Sequence, residues 1–315
     1  MSQHQPKQLL DRFLNWQPVA RIIKISRKLV LPGFDGLPLF DVGVFFFRGL
    51  QQGYITSRAA AISYSIFLAI FPFLIFLFSI IPFIPIANFQ QSLLAIIAEF
   101  MPKLAYESVK ETIIDIITRP RSSLLIFNLI LTIYFSTNGV NSLIEAFNNT
   151  YHDIETRSAI KQYIVAFFVL FIISFLLILA VAMMTIGPAL LRLLLPDSIE
   201  DSGFILIIFE LLRWIIVLSL LLMAISSLFY LAPARRKSFR FLSPGSLMAT
   251  FLIILTTLGF NFYVDNFSSY NAFYGSLGTL MIVLVWIYVN AISLIVGFEL
   301  NASILHVKSD KSSLR

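Results

Sequence analysis

Asn138, Asn141, Glu145 and Asn148 follow directly on the apolar run Leu124–Phe135 and recur at i, i+3, i+7 and i+10. If the helix continues through them, they form one stripe of amide and carboxylate groups on a single face; Leu143, Ala146 and Phe147 fall largely elsewhere. Such groups cost free energy against lipid unless hydrogen-bonded, so the stripe must face protein or water. Two chemistries are open to it: hydrogen bonding between helices, or a polar lining for a substrate or headgroup. Arg157 lies where the stripe ends. Arg58 stands at the start of another apolar run, ahead of Ala59–Ala61 and Tyr64, and Glu299 and Asn301 close a third in the sequence GFELNA. A carboxylate at such a depth needs a cation or several donors, so Arg58 suits Glu299 or Glu145 as a partner. It can equally reach out to lipid phosphate. Glu210 and Arg213, three apart in one apolar run, can neutralise each other on a single helix, as a structural pair or as part of a proton relay. Depth alone gathers Arg58, Asn141, Glu145, Glu299 and Asn301 into one expected cluster.

Soluble-enzyme chemistry has little to work with. His4, His152 and His306 are isolated and there is no cysteine, so neither a histidine-rich metal cluster nor a thiolate site or disulfide is expected. The chain has no phosphate-binding glycine loop and no G-x-S-x-G elbow. No cofactor, metal or catalytic residue is predicted.

The elements that must carry these residues are set by composition. Of 315 residues, 58% are hydrophobic and only 13% charged, with 32 Phe; soluble domains carry roughly 25% charged residues. So few charges cannot cover a water-facing surface. Six runs exceed the roughly 18 apolar residues that cross hydrocarbon: Ala59–Ile81, Leu124–Ile144, Tyr163–Ile186, Phe204–Leu231, Ser243–Val264 and Leu277–Ile304. They lack period-two alternation and must satisfy their backbone internally, so they are read as helices. Pro72 should kink the first, which Pro82 and Pro85 end. The fold expected is an all-α polytopic membrane protein with about six transmembrane helices and amphipathic interfacial helices.

Lys and Arg set the orientation. Seventeen fall in the N-terminal region, the second and fourth connections and the C-terminal tail, five in the opposite connections, and Arg213 inside a span. Both termini and the Arg235–Arg240 connection are therefore expected in the cytoplasm. The net charge of +6 follows this topology, so a nucleic-acid partner is not expected. Residues 1–58 read as a cytoplasmic region with basic amphipathic helices, 59–306 as the six-helix domain, and 307–315 as a cytoplasmic tail. Pro6–Leu31 alternates basic and apolar residues and suits a helix on an anionic inner leaflet or one packed on its own domain. The outer connection Asn88–Thr118 is amphipathic too, and Leu190–Leu195 suits the outer interface. Gly275, Gly278 and Gly297 permit close helix approach around the sixth span.

The blocks RAAAISYSIFLAIFP (58–72), NGVNSLIEAFNNTY…ETR (138–157), PGSLMA (244–249) and SYNAFYGSLGTLMIVLVWIYVNAISLIVGFELNA (269–302) occur in this order. Together they resemble the YihY/BrkB family of bacterial inner-membrane proteins, over about residues 40–305; YGSLG and GFELNA are the most specific parts. The resemblance implies a multi-helix inner-membrane protein linked to envelope integrity, with transport or handling of envelope lipids suggested for the family. The family has also carried the label of a transfer-RNA-processing ribonuclease. Three scattered histidines argue against that label here, since a metal-dependent nuclease needs clustered His and Asp ligands. The function expected is the transport or handling of a lipid or other amphipathic envelope component, with membrane lipids as partners. The alternative is a scaffold that binds partner envelope proteins, whose polar stripes would be satisfied internally.

Overall fold

The computed structural model describes residues 17–83, 110–111, 114–115, 120–149, 157–194, 203–234, 242–266 and 276–313. The described residues contain eight α-helices and no β-strand. Two short helices come first, α1 (Gln17–Ser26) and α2 (Leu39–Gln52). Six long apolar ones follow: α3 (Ile55–Ile80), α4 (Ser122–Asn148), α5 (Ala159–Leu194), α6 (Gly203–Leu231), α7 (Pro244–Asn266) and α8 (Ser276–Ser313). All six are long and apolar enough to cross a membrane. The protein is an all-α polytopic membrane protein.

Consecutive helices pack most extensively as three hairpins, α3–α4, α5–α6 and α7–α8, and α8 returns to α3, so neighbouring contacts run right around the bundle. The hairpins are knit together at one end, which carries the start of α3, the C-terminal part of α8 and the basic segment around α1; we call it the basic end. There the main core joins Ala59 and Ile62 of α3, Ile144 and Phe147 of α4, Ala166 of α5, Leu228 and Phe229 of α6, Ala249 of α7, and Ile295 and Phe298 of α8. The smaller cluster of Leu176, Ala180, Leu220 and Ala224 joins only α5 to α6. Farther from the basic end, α3 and α6 are largely exposed. In residues 71–80 of α3, only Pro72 and Ser79 are buried and Phe76 is half-buried. Those three form a single stripe at i, i+4 and i+7. In residues 207–219 of α6 the covered stripe is Phe209, Arg213 and Val217 alone.

Several boundaries differ from the sequence reading. The boundary expected at residue 58 falls inside α3, whose first turn begins at Ile55. α3 continues through Pro72, then tightens into a 3-10 turn at Ile81–Phe83 that contains Pro82. The second helix runs on through the whole polar stripe to Asn148, four residues past the expected end. Residues 190–194 are the last turn of α5. α8 extends to Ser313 where a span ending at Ile304 was expected. At roughly 1.5 Å per residue its 38 residues reach about 57 Å, well beyond a hydrocarbon core of about 30 Å. The protruding end is clad by the N-terminal segment: Phe34, Leu37 and Val42 pack on Ile304 and Val307, and Lys308 Nζ lies 2.7 Å from Asp35 Oδ2. Of the N-terminal region, the described part from Leu31 to α2 therefore packs on its own domain. The connection Asn88–Thr118 (four positions aside), the Arg235–Arg240 segment, His4, His152, Pro85 and Gly275 lie outside the described residues.

Candidate functional site

Local structure brings Arg58 to its place. α2 ends at Gly53, whose N–H donates to Gly49 O at 2.8 Å, and Tyr54 turns the chain in a left-handed conformation (φ 48°) into α3. One turn later Arg58 reaches back and donates from Nη1 to Gly53 O at 3.0 Å. The same nitrogen pairs with Glu299 Oε1 of α8 at 2.8 Å, while Nη2 donates to the carbonyl of Ala146 on α4. One guanidinium thus ties the α2–α3 turn, α3, α4 and α8. Glu299 is 0% exposed. A side chain at Gly53 would crowd this group, since its Cβ would lie 3.2 Å from Arg58 Nη1 and 3.5 Å from Glu299 Oε1. Glu299 Oε2 and Arg58 Nε are buried without a hydrogen-bond partner, so the pair is only half satisfied.

The asparagine stripe goes elsewhere. Asn141 Nδ2 donates to Glu145 Oε1 at 2.9 Å, and Gln162 Nε2 of α5 donates to Asn141 Oδ1 at 2.9 Å. Asn148 Nδ2 approaches Gln162 Oε1 at 3.5 Å, and its Oδ1 accepts the backbone N–H of Ala234 at 3.0 Å. Asn138 Oδ1 accepts from Tyr163 OH at 2.8 Å. Arg157 closes the C-terminus of α6, donating to the carbonyls of Ala232, at 3.1 Å, and of Pro233. A cation there offsets the negative end of the helix dipole as well as satisfying orphan carbonyls.

A third group fixes the start of α7. Ser243 Oγ accepts from Ser246 N–H at 3.1 Å, the geometry of an N-cap, with Pro244 in the first helical position. Asn301 of α8 completes it: its Oδ1 accepts Gly245 N–H at 2.8 Å and its Nδ2 donates to Ser243 Oγ at 2.9 Å. The helices touch backbone to backbone here. A Cβ on Gly245 would overlap the carbonyl oxygen of Gly297, and one on Gly297 would stand 2.6 Å from Ala249 Cβ.

The single cluster expected from depth therefore resolves into three hydrogen-bonded groups. Depth along a bundle does not fix the direction in which a side chain points. Arg58 pairs with Glu299 and not with Glu145, which is exposed and takes the Asn141 amide. Tyr64 is exposed and joins none of the three groups. Glu210 and Arg213 pair on their own helix, Oε1 to Nη2 at 2.5 Å, with Trp214 Nε1 donating to the same carboxylate at 2.9 Å. Gln162 was missed in the sequence, although a polar side chain in the first turn of an apolar run at the level of Asn148 was a usable signal. Gly245 was legible only as part of PGSLMA, and Ser243 only as the first residue of the fifth span.

One apolar feature sits among these groups. Phe147, Phe229 and Phe298 are each nearly buried and meet as a trio. Phe147 and Phe298 stack with centroids 4.2 Å apart and planes 13° apart; Phe229 meets each edge-on at 5.5 Å. Each comes from the second helix of a different hairpin. Among the described residues no three His, Asp or Glu side chains gather as a metal site.

Six membrane-length helices with charged groups neutralised between them define a helical, multi-pass membrane protein. The comparisons give its family. The model of the family described as Virulence factor BrkB matches residues 46–315, and the chain belongs to it. It is 30% identical over 250 residues to the ribonuclease-like protein YfkH of Bacillus subtilis, covering 79% of this chain and 90% of that one. It is 26% identical over 289 residues to a UPF0761 membrane protein of Aggregatibacter aphrophilus (84% and 92% covered), and 23% identical over 290 residues to one of Haemophilus influenzae (85% and 96%). No solved structure matches the chain.

Proposed function

We propose that this protein binds and moves an amphipathic, lipid-like component of the bacterial envelope in the cytoplasmic membrane, with its basic end in the cytoplasm, and that it hydrolyses nothing. The observation that carries the reading is the contrast between the two halves of the bundle. The basic end is closed by core and paired polar groups, while the far halves of α3 and α6 each cover one stripe and leave more than half their circumference uncovered. A helix seated in a closed ring has two neighbours; one stripe leaves an apolar face open beside α3 and beside α6 as well as toward lipid. Acyl chains fit such faces, and entry from the side needs no water-filled pore. The asparagine stripe then serves as interhelical glue, since its amides bond to α5 and to the chain after α6. The ribonuclease-like name belongs to the B. subtilis relative; three isolated histidines support no such chemistry here.

The scaffold reading has one observation in its favour: the polar groups of the basic end are largely satisfied internally. A photoactivatable diacyl phospholipid in proteoliposomes separates the two. Lipid handling requires saturable labelling concentrated in residues 71–80 and 207–219 that unlabelled lipid competes away. Uniform, non-saturable labelling of every lipid-facing helix would leave the scaffold reading in its place.

A further inference from the structure

Phe147, Phe229 and Phe298 bring together a large side chain from each of the three hairpins. They lie on α4, α6 and α8, at the level of the basic end, and belong to the main core. Two of the three are chain neighbours of the Arg58 group: Ala146, whose carbonyl Arg58 holds, precedes Phe147, and Glu299 follows Phe298. The guanidinium therefore holds the backbones that present two of the rings, and it also holds the strained Gly53–Tyr54 turn.

We infer that the three phenylalanines form an apolar gate closing the cytoplasmic end of the bundle, and that Arg58–Glu299 is its latch. This deepens the lipid-handling reading by assigning what must part for a headgroup to pass the basic end. Two observations distinguish a latch from ordinary glue. Stacked and edge-on rings exclude water and hold one another without a hydrogen bond, so parting them breaks none. The pair that holds it is incompletely bonded: Glu299 Oε2 and Arg58 Nε are buried with no partner. A buried polar atom left unpaired costs stability and calls for a reason, and replacing a buried pair by apolar groups is often stabilising. A cation that engaged the free carboxylate oxygen would share the negative charge that now holds Arg58 and so loosen α8 from α3 and α4. The asparagine groups do not have this character, because each amide of Asn141 and Asn148 is bonded on both its oxygen and its nitrogen.

The chain has no cysteine, so one introduced thiol reports cleanly. Ala291 is buried, seven residues before Phe298 and thus on the same face of α8, two turns deeper in the bundle. In Ala291→Cys, a small cationic methanethiosulfonate added from the basic end in inside-out vesicles should react slowly. Adding Glu299→Gln, which unlatches, or Phe298→Ala, which shortens the gate and leaves the ion pair in place, should each raise that rate at least tenfold. The rate from the far end should stay unchanged, and Phe298→Leu should stay slow. Should Glu299→Gln fail to assemble, Phe298→Ala decides. An unchanged rate in folded Phe298→Ala, or an equal rise from both faces, overturns the gate. No lipid enters this measurement, so its failure is separable from failure of lipid labelling.

Discussion

At the residue scale the Arg58–Glu299 pair is where sequence position and chemistry diverge most, since 241 positions separate two groups 2.8 Å apart. Removing either partner strands the other in a buried site, which is costlier than removing both. Glu299→Gln and Arg58→Gln should each destabilise the protein, and the double variant should be less destabilised than their sum, with a coupling of roughly 0.5–3 kcal/mol. Reversible unfolding in mixed micelles gives the number, and strict additivity would show that the pair contributes no coupled energy. The remaining polar residues were legible as a class, because an amide or carboxylate in an apolar run must find a partner. Which partner was not legible. Asn141 and Glu145 lie at nearly the same depth as Arg58, yet they bond to Gln162 and to each other.

At the scale of elements, the α7–α8 contact rests on two glycines from different helices. Gly297 stood out in the sequence as a small residue in a long span; Gly245 did not, because its neighbour across the contact is unknowable from its own surroundings. Adding one methyl at either position pushes backbones apart that now touch. Gly245→Ala and Gly297→Ala should each cost about 1–3 kcal/mol, and Gly259→Ala, in open space on the same helix as Gly245, should cost nothing measurable in the same assay. Equal effects at the three sites would mean that helix propensity, and not close approach, sets the outcome. Asn301 belongs to this contact: it supplies from α8 a hydrogen-bond acceptor that the first turn of α7 lacks.

For the whole molecule, the prediction concerns sidedness. Seventeen Lys and Arg against five predict that the basic end faces the cytoplasm. Single cysteines at Ser2 and Ser238 should stay protected from an impermeant thiol reagent in cells permeabilised only at the outer membrane, and one at Ser108 should label. Labelling at Ser238 with protection at Ser108 would invert the orientation, and with it the side on which the gate closes.

The sequence by itself determined the solvent, the number of spans and their helical character. Burying backbone in hydrocarbon leaves few alternatives, and length and charge poverty are local properties that can be counted. It also showed which side chains had to be neutralised. Tertiary structure alone decided how they were divided, since one turn of helix moves a side chain through a full circle while changing its depth by only about 5 Å. The assembly into three hairpins is likewise invisible along the chain. Phe147, Phe229 and Phe298 are three among 32 phenylalanines, and nothing local marks them as the three that meet. Their meeting depends on the azimuth of three helices at once, which is fixed only when every hairpin has packed against the others.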